Sequence, residues 1–187
     1  MSKSILTAAL ACAGLILLPA CKKDAAADGS AGAEAAKPGS DTLAKAIGSA
    51  SNLSTVAAAL KSTGLDAVFD GKASYTVLAP TDQAFAALGD KKASLTAPEN
   101  GAALAAALRD HIVPGTLTPA DIAKAIDAAK GEPVKMRTVG NGELSFAKSG
   151  STITVTAPDG STAKFAGDAV AAKNGVAIPI DGLLKKI

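Results

Sequence analysis

Residues Tyr75–Phe85 read Tyr-Thr-Val-Leu-Ala-Pro-Thr-Asp-Gln-Ala-Phe, and this run has few ways to fold. Tyr75 to Ala79 is a β-branched and apolar stretch that suits a buried strand. Pro80 has no N–H for a ladder and biases Ala79 toward extended geometry, so the strand is expected to stop there. Thr81 is a good N-cap, Asp82 suits the first turn of a helix, and Ala84, Phe85 and Leu88 supply its apolar side. A buried strand must therefore turn directly into a helix.

The rest of the core has to be aliphatic. Of the 187 residues 48% are hydrophobic but only 3% aromatic, so Leu, Ile, Val and Ala carry the packing around Phe69, Tyr75, Phe85, Phe146 and Phe165. A domain of about 150 residues buries roughly 70% of its unfolded surface, enough to stand without staples. The formal net charge is +2, and no basic stripe with interleaved aromatics occurs, so nucleic acid is not an expected partner.

The two cysteines, Cys12 and Cys21, lie at the N-terminal end, which removes a disulfide framework and a cysteine metal cluster from consideration. Lys3 precedes an apolar run, Ile5 to Leu18, broken only by Thr7. The run is short for a membrane span of about 20 residues and fits a secretory leader over residues 1–20. Leu18-Pro19-Ala20-Cys21 resembles a bacterial lipobox, which would make Cys21 the lipidated first residue. Ordinary cleavage after Ala20, or an uncleaved anchor, is the competing reading, and Leu18 is bulky for the former. From Lys22 to Ser40 the chain is mostly Ala, Gly, Ser, Lys and Asp with no large apolar residue. Residues 21–40 are therefore expected to form a flexible lipidated tether reaching about 25 Å, with an extra helix as the alternative.

One domain is expected over residues 41–187. Asp41 is placed to cap a helix carrying Leu43 and Ile47. Ser51 to Thr55 opens a second helix with Leu53, Val56 and Leu60 on one face and Gly64 as its stop. Leu65, Val68 and Phe69 form a short helical turn. Pro98 to Ile112 reads as a helix with Leu104 and Leu108 inward, and Thr118-Pro119-Ala120-Asp121 starts another carrying Ile122 and Ile126. After Gly131 the period becomes two. Val134–Val139, Leu144–Lys148, Thr152–Thr156, Ala163–Phe165 and Val176–Ile180 read as strands, with Gly140-Asn141-Gly142, Ser149-Gly150 and Asp159-Gly160 as turns. Helices first and strands later indicate an α+β fold.

Four segments in order resemble the fasciclin domain family. Tyr75–Phe85 resembles its first signature, of the type Phe-Thr-Val-Phe-Ala-Pro-Thr-Asn-Glu-Ala-Phe. Leu108 to Gly115 resembles its Leu-x-Tyr-His-Val-Val-Pro-Gly stretch, and Thr118 to Ile122 the helix after it. Asn174 to Leu184 resembles its second signature. The resemblance implies N-terminal helices packed against a wedge or sandwich of mostly antiparallel strands. It departs from the family where Asp110 replaces the tyrosine of the Tyr-His pair and Ile178 the histidine of the second signature. Integrin contact, implied for animal members, is not carried over, since Asp168-Ala169-Val170 only approximates the Asp-Ile pair.

His111, the single histidine, is a candidate ligand or partner contact, or a pH-sensitive group. Its alternative role is structural, bonding buried backbone groups at a helix end. One histidine and no mature cysteine besides Cys21 leave no usual zinc or copper set, so no cofactor is expected. Ser145-Phe146-Ala147-Lys148 fits Ser-x-x-Lys, yet on a strand the two project to opposite faces. No nucleophile elbow, P-loop or Rossmann fingerprint occurs.

The resemblance thus implies a non-enzymatic lipoprotein held to an envelope membrane through Cys21, engaging an extracellular or periplasmic protein or polysaccharide in adhesion or surface attachment. Lys22 after Cys21 favours the outer over the inner membrane. An alternative implied by other members is carriage of an apolar small molecule such as a carotenoid. Leu53, Val56, Leu60, Phe69 and Leu78 are the residues for such a cleft, or else ordinary core.

Overall fold

A computed structural model describes residues 39–186; the leader, Cys21 and most of the tether lie outside the described residues. The fold is α+β. Two helices come first, α1 (Leu43–Ser49) and α2 (Ser54–Ser62), followed by a 3₁₀ turn over Asp66–Asp70 and strand β1 (Tyr75–Pro80). Three helices follow: α3 (Asp82–Ala86), α4 (Asp90–Thr96) and, after a 3₁₀ turn at Pro98–Asn100, α5 (Gly101–Asp110). Strand β2 (Ile112–Pro114) and helix α6 (Pro119–Ala128) lead into β3 (Val134–Arg137), β4 (Glu143–Ser149), β5 (Thr152–Thr156), β6 (Thr162–Lys164), β7 (Val170–Ala172) and β8 (Gly175–Ile180).

The strands form two four-stranded sheets, ordered β2-β1-β8-β7 and β3-β4-β5-β6. The second is an antiparallel meander, as its hairpin turns predict. In the first, β1 and β8 run parallel with Tyr75 opposite Gly175 and Pro80 opposite Ile180, so the two signature segments lie side by side. A bridge between Phe165 and Ile180 joins the sheets.

Both faces of the first sheet are covered, which is why β1 and β8 read as nearly unbroken apolar runs. Val77, Ala79 and Ala177 face the helices and pack with Leu43, Leu53, Leu60 and Phe69. Leu78, Val176, Ile178 and Ile180 face the second sheet and α6, packing with Ile122, Leu144, Phe146 and Val155. Each fully buried side chain of this size contributes about 1.5–3 kcal/mol. The two cores share the β1–β8 pair as a wall one sheet thick.

Several expectations need correcting. Thr42, not Asp41, caps α1, accepting from the Lys45 N–H at 3.4 Å; Asp41 instead pairs with the Lys45 ammonium at 2.8 Å. The short helical turn at Leu65, Val68 and Phe69 forms as expected, with Leu65 and Phe69 inward and Val68 exposed. The helix expected over Pro98–Ile112 is shorter, since Ile112 starts β2 on the edge of the first sheet. Strand β1 includes Pro80, whose missing N–H falls at its last position. Helix α4 and strands β2 and β7 were not expected.

Candidate functional site

Helix α5 ends at a cleft, and the His111 imidazole lies buried beneath it. His111 is 2% exposed. Its Nδ1 lies 2.8 Å from the Ala107 carbonyl, which can only accept, so Nδ1 carries the proton. Its Nε2 accepts the Leu184 backbone N–H at 3.0 Å. Burial lowers the histidine pKa, against raising effects from the Ala107 bond and the Asp110 and Asp159 charges. The ring is therefore a neutral clamp between α5 and the C-terminal segment. Both ring nitrogens are engaged, and His111 is corrected as a ligand or partner contact.

The C-terminal segment has further ties. Asp159 accepts from the Lys186 N–H at 2.7 Å and from the Ser161 N–H and hydroxyl at 2.9 and 2.6 Å. Partial burial pushes the Asp159 carboxyl up, but these bonds and Lys185 outweigh it and bring its pKa down to about 2. The Lys185 ammonium stands 3.6 Å from Asp110, and Leu184 is buried in the core. Above them is a cleft of about 280 Å³ whose polar lining includes Asp110, Thr138, Asn141, Asp159 and Lys185. Gly140 lets this wall close, since a Cβ there would collide with the Asp110 carboxylate.

The proposed apolar cleft does not form. Leu53, Val56, Leu60 and Phe69 are at most 2% exposed and pack together in the helical core. Leu78 is equally buried but points to the other core, because the pleat directs it away from Val77 and Ala79. The five residues are packing, on two sides of one sheet. Ser145 and Lys148 project to opposite faces of β4 as expected, and Lys148 pairs with Asp127 at 2.9 Å. Cys21 lies outside the described residues.

Two residues of the signatures do more than the sequence suggests. Asn174 is buried; its Oδ1 accepts the Leu43 N–H at 2.8 Å, and its Nδ2 donates to Phe69 O at 2.6 Å and Gly71 O at 3.0 Å. Asp82 caps α2 rather than serving only its own helix, accepting from Ser54 and Thr55. Thr81 caps α3 as expected, accepting the Ala84 N–H at 3.2 Å. Asn174, Thr81 and Asp82 are thus consumed in holding the scaffold. Among the described residues, no three His, Cys, Asp or Glu side chains form a metal-binding group.

Residues 51–186 match the fasciclin domain family. Protein sll1483 of Synechocystis sp. is 36% identical over 90 residues, covering 48% of this chain and 50% of that protein. The chain thus spans about half the length of this curated relative. Among solved structures, a FAS1 domain pair from the insect cell adhesion molecule fasciclin I superposes with a TM-score of 0.68 at 15% identity. The match covers 79% of this chain and 52% of that one, and at that identity it is a likeness of fold.

Proposed function

This chain belongs to the fasciclin domain family, and we propose that it is a non-enzymatic binding module of the cell envelope, mediating adhesion or surface attachment. The observation carrying this reading is the fold it shares with a domain pair from a cell adhesion molecule. The engagement of His111 with backbone on both sides supports it, because it leaves no free imidazole for acid–base work. Cys21 would carry the lipid, with the domain held in the periplasm or at the surface from the outer membrane. Each buried acyl methylene contributes about 0.8 kcal/mol to such anchoring.

The test is a deletion strain scored for attachment to a solid surface and complemented with wild type or Cys21→Ala. The deletion is expected to lose attachment and wild type to restore it. Cys21→Ala is expected in the soluble fraction without restoring attachment. Unaltered attachment in the deletion strain would overturn the adhesive role. A Cys21→Ala protein that remains membrane-bound would overturn the anchor.

A further inference from the structure

The second sheet has two unlike faces. Leu144, Phe146, Ile153, Val155 and Ala163 point into the core. The alternate residues form an outer face on which Lys135, Ser145, Thr156 and Thr162 lie in one cross-strand row. Ala147, Thr154 and Lys164 form the next row, and Arg137 opposite Glu143 the row on the other side. Strands stand about 4.8 Å apart and same-face residues about 6.7 Å along each strand, so the hydroxyls form a grid on the scale of sugar rings.

These hydroxyls differ from the threonine hydroxyls that hold the scaffold together. Thr42, Thr63, Thr76, Thr81, Thr118 and Thr138 are all hydrogen-bonded within the protein. Among the described residues, the side chains of Ser145, Thr154, Thr156 and Thr162 make no such bond, and all four reach solvent. The charge around them is mostly positive. Lys135 is paired with Glu143 at 3.1 Å, while the Arg137 guanidinium and the Lys164 ammonium, on opposite edge strands, make no ion pair among the described residues; the Lys164 backbone N–H donates to Asp181.

We propose that this outer face is a docking surface for an anionic polysaccharide, its hydroxyl grid bonding the sugars and Arg137 and Lys164 meeting the acid groups. This rests on the binding role above and names its partner class. A protein partner fits less well, because the face has no aromatic or large aliphatic anchor to seat in a pocket. Single-stranded nucleic acid fits less well because there is no ring on which bases would stack. Such contacts are individually weak, and many copies on one cell would add through avidity.

The test measures binding of the full chain, purified in detergent, to alginate and to chondroitin sulfate, with dextran as neutral counterpart and polyphosphate as a charge-only polymer. Binding to at least one acidic polysaccharide is expected, weakening as salt rises, with dextran and polyphosphate at least about tenfold weaker. Thr154→Val with Thr156→Val keeps the β-branched shape and removes only hydroxyls; it is expected to weaken binding about tenfold. Arg137→Gln with Lys164→Gln is expected to do the same and to flatten the salt dependence. Lys61→Gln with Lys124→Gln, on helices α2 and α6, is the control and is expected to bind as wild type.

Circular dichroism melts establish that each pair folds, and the Gln pair carries the test if the Val pair does not. The proposal is overturned if neither acidic polymer binds, if dextran or polyphosphate binds as well, or if the folded variants bind like wild type. Its failure is separable from failure of the reading beneath it. A deletion strain that loses attachment while the acidic polymers go unbound overturns this surface and leaves the adhesive role standing.

Discussion

The Asp82 carboxylate lies 2.6 Å from the Thr55 backbone N–H and also holds Ser54, capping a helix that begins 28 residues before it. In return the Asp82 N–H donates to Asn52 O at 2.9 Å. The turn after β1 and the start of α2 are thereby fastened to each other. Partial burial raises the Asp82 pKa, but the Thr55 and Ser54 bonds outweigh it and lower it from 3.8 to about 2. Asp82→Ala is expected to cost about 1–2 kcal/mol, with the ionic part reduced by solvent screening. Because the folded pKa is depressed, the stabilisation is present above pH 3.8 and lost as pH falls toward 2. Urea unfolding at pH 7 and pH 2 checks both statements: the variant is expected to differ from wild type at the first and much less at the second.

Asn174 bonds one donor and two acceptors from two separate segments. Asn174→Ala leaves buried backbone groups unpaired and is expected to cost about 2–4 kcal/mol. Asn174→Asp replaces the amide donor with a second acceptor facing the Phe69 and Gly71 carbonyls, and is expected to be at least as harmful. Chemical denaturation of both variants is the measurement, and an unchanged midpoint would refute the tie.

Two glycines make opposite predictions. A Cβ on Gly175 would collide with the Tyr75 carbonyl across the parallel β1–β8 pair and crowd Leu43, so Gly175→Ala is expected to destabilise severely. Gly48 lies within α1 with nothing near its added Cβ. Gly48→Ala is expected to stabilise by roughly 0.5–1 kcal/mol through helix propensity. Thermal melts of the pair compare both signs in one experiment.

Much of this architecture was legible because local pattern and tertiary role agree. Thr152–Thr156 alternates and is a strand with those bounds, and Thr118-Pro119-Ala120-Asp121 is a complete capping box. Strands β2 and β7 were not legible, since each has three residues and exists only by pairing with distant segments. Helix α4 buries Leu95 alone, so no apolar period marks it. The Leu184 partner of His111 and the partners of Asn174 and Asp82 are not legible for the same reason as β2: each lies 27 or more residues away in the chain. Leu78 does not line a cleft with the helix residues, because strand alternation sends it to the face opposite Val77 and Ala79.

The histidine predicts a second pH window, separate from that of the carboxylates. Burial depresses the His111 pKa below its ordinary 6.5, so the unfolded chain binds the extra proton first. Stability is then full above pH 6.5 and falls as pH drops below it, by at most about 1.4 kcal/mol per pH unit. His111→Gln is expected to be less stable at pH 7 and to lack this slope between pH 6.5 and 5. Denaturant melts of both proteins across that range are the check.

The central claim is that His111, Asn174, Thr81 and Asp82 of the signatures hold the scaffold, leaving the proposed binding to the exposed surfaces they support. It is tested most directly by nitrogen NMR of the His111 imidazole between pH 7.5 and 5. The account predicts a neutral ring protonated on Nδ1, with no titration near 6.5 and the Leu184 amide protected from exchange throughout. A ring that titrates near its ordinary value in the folded protein, with the Leu184 amide exchanging freely, would contradict it.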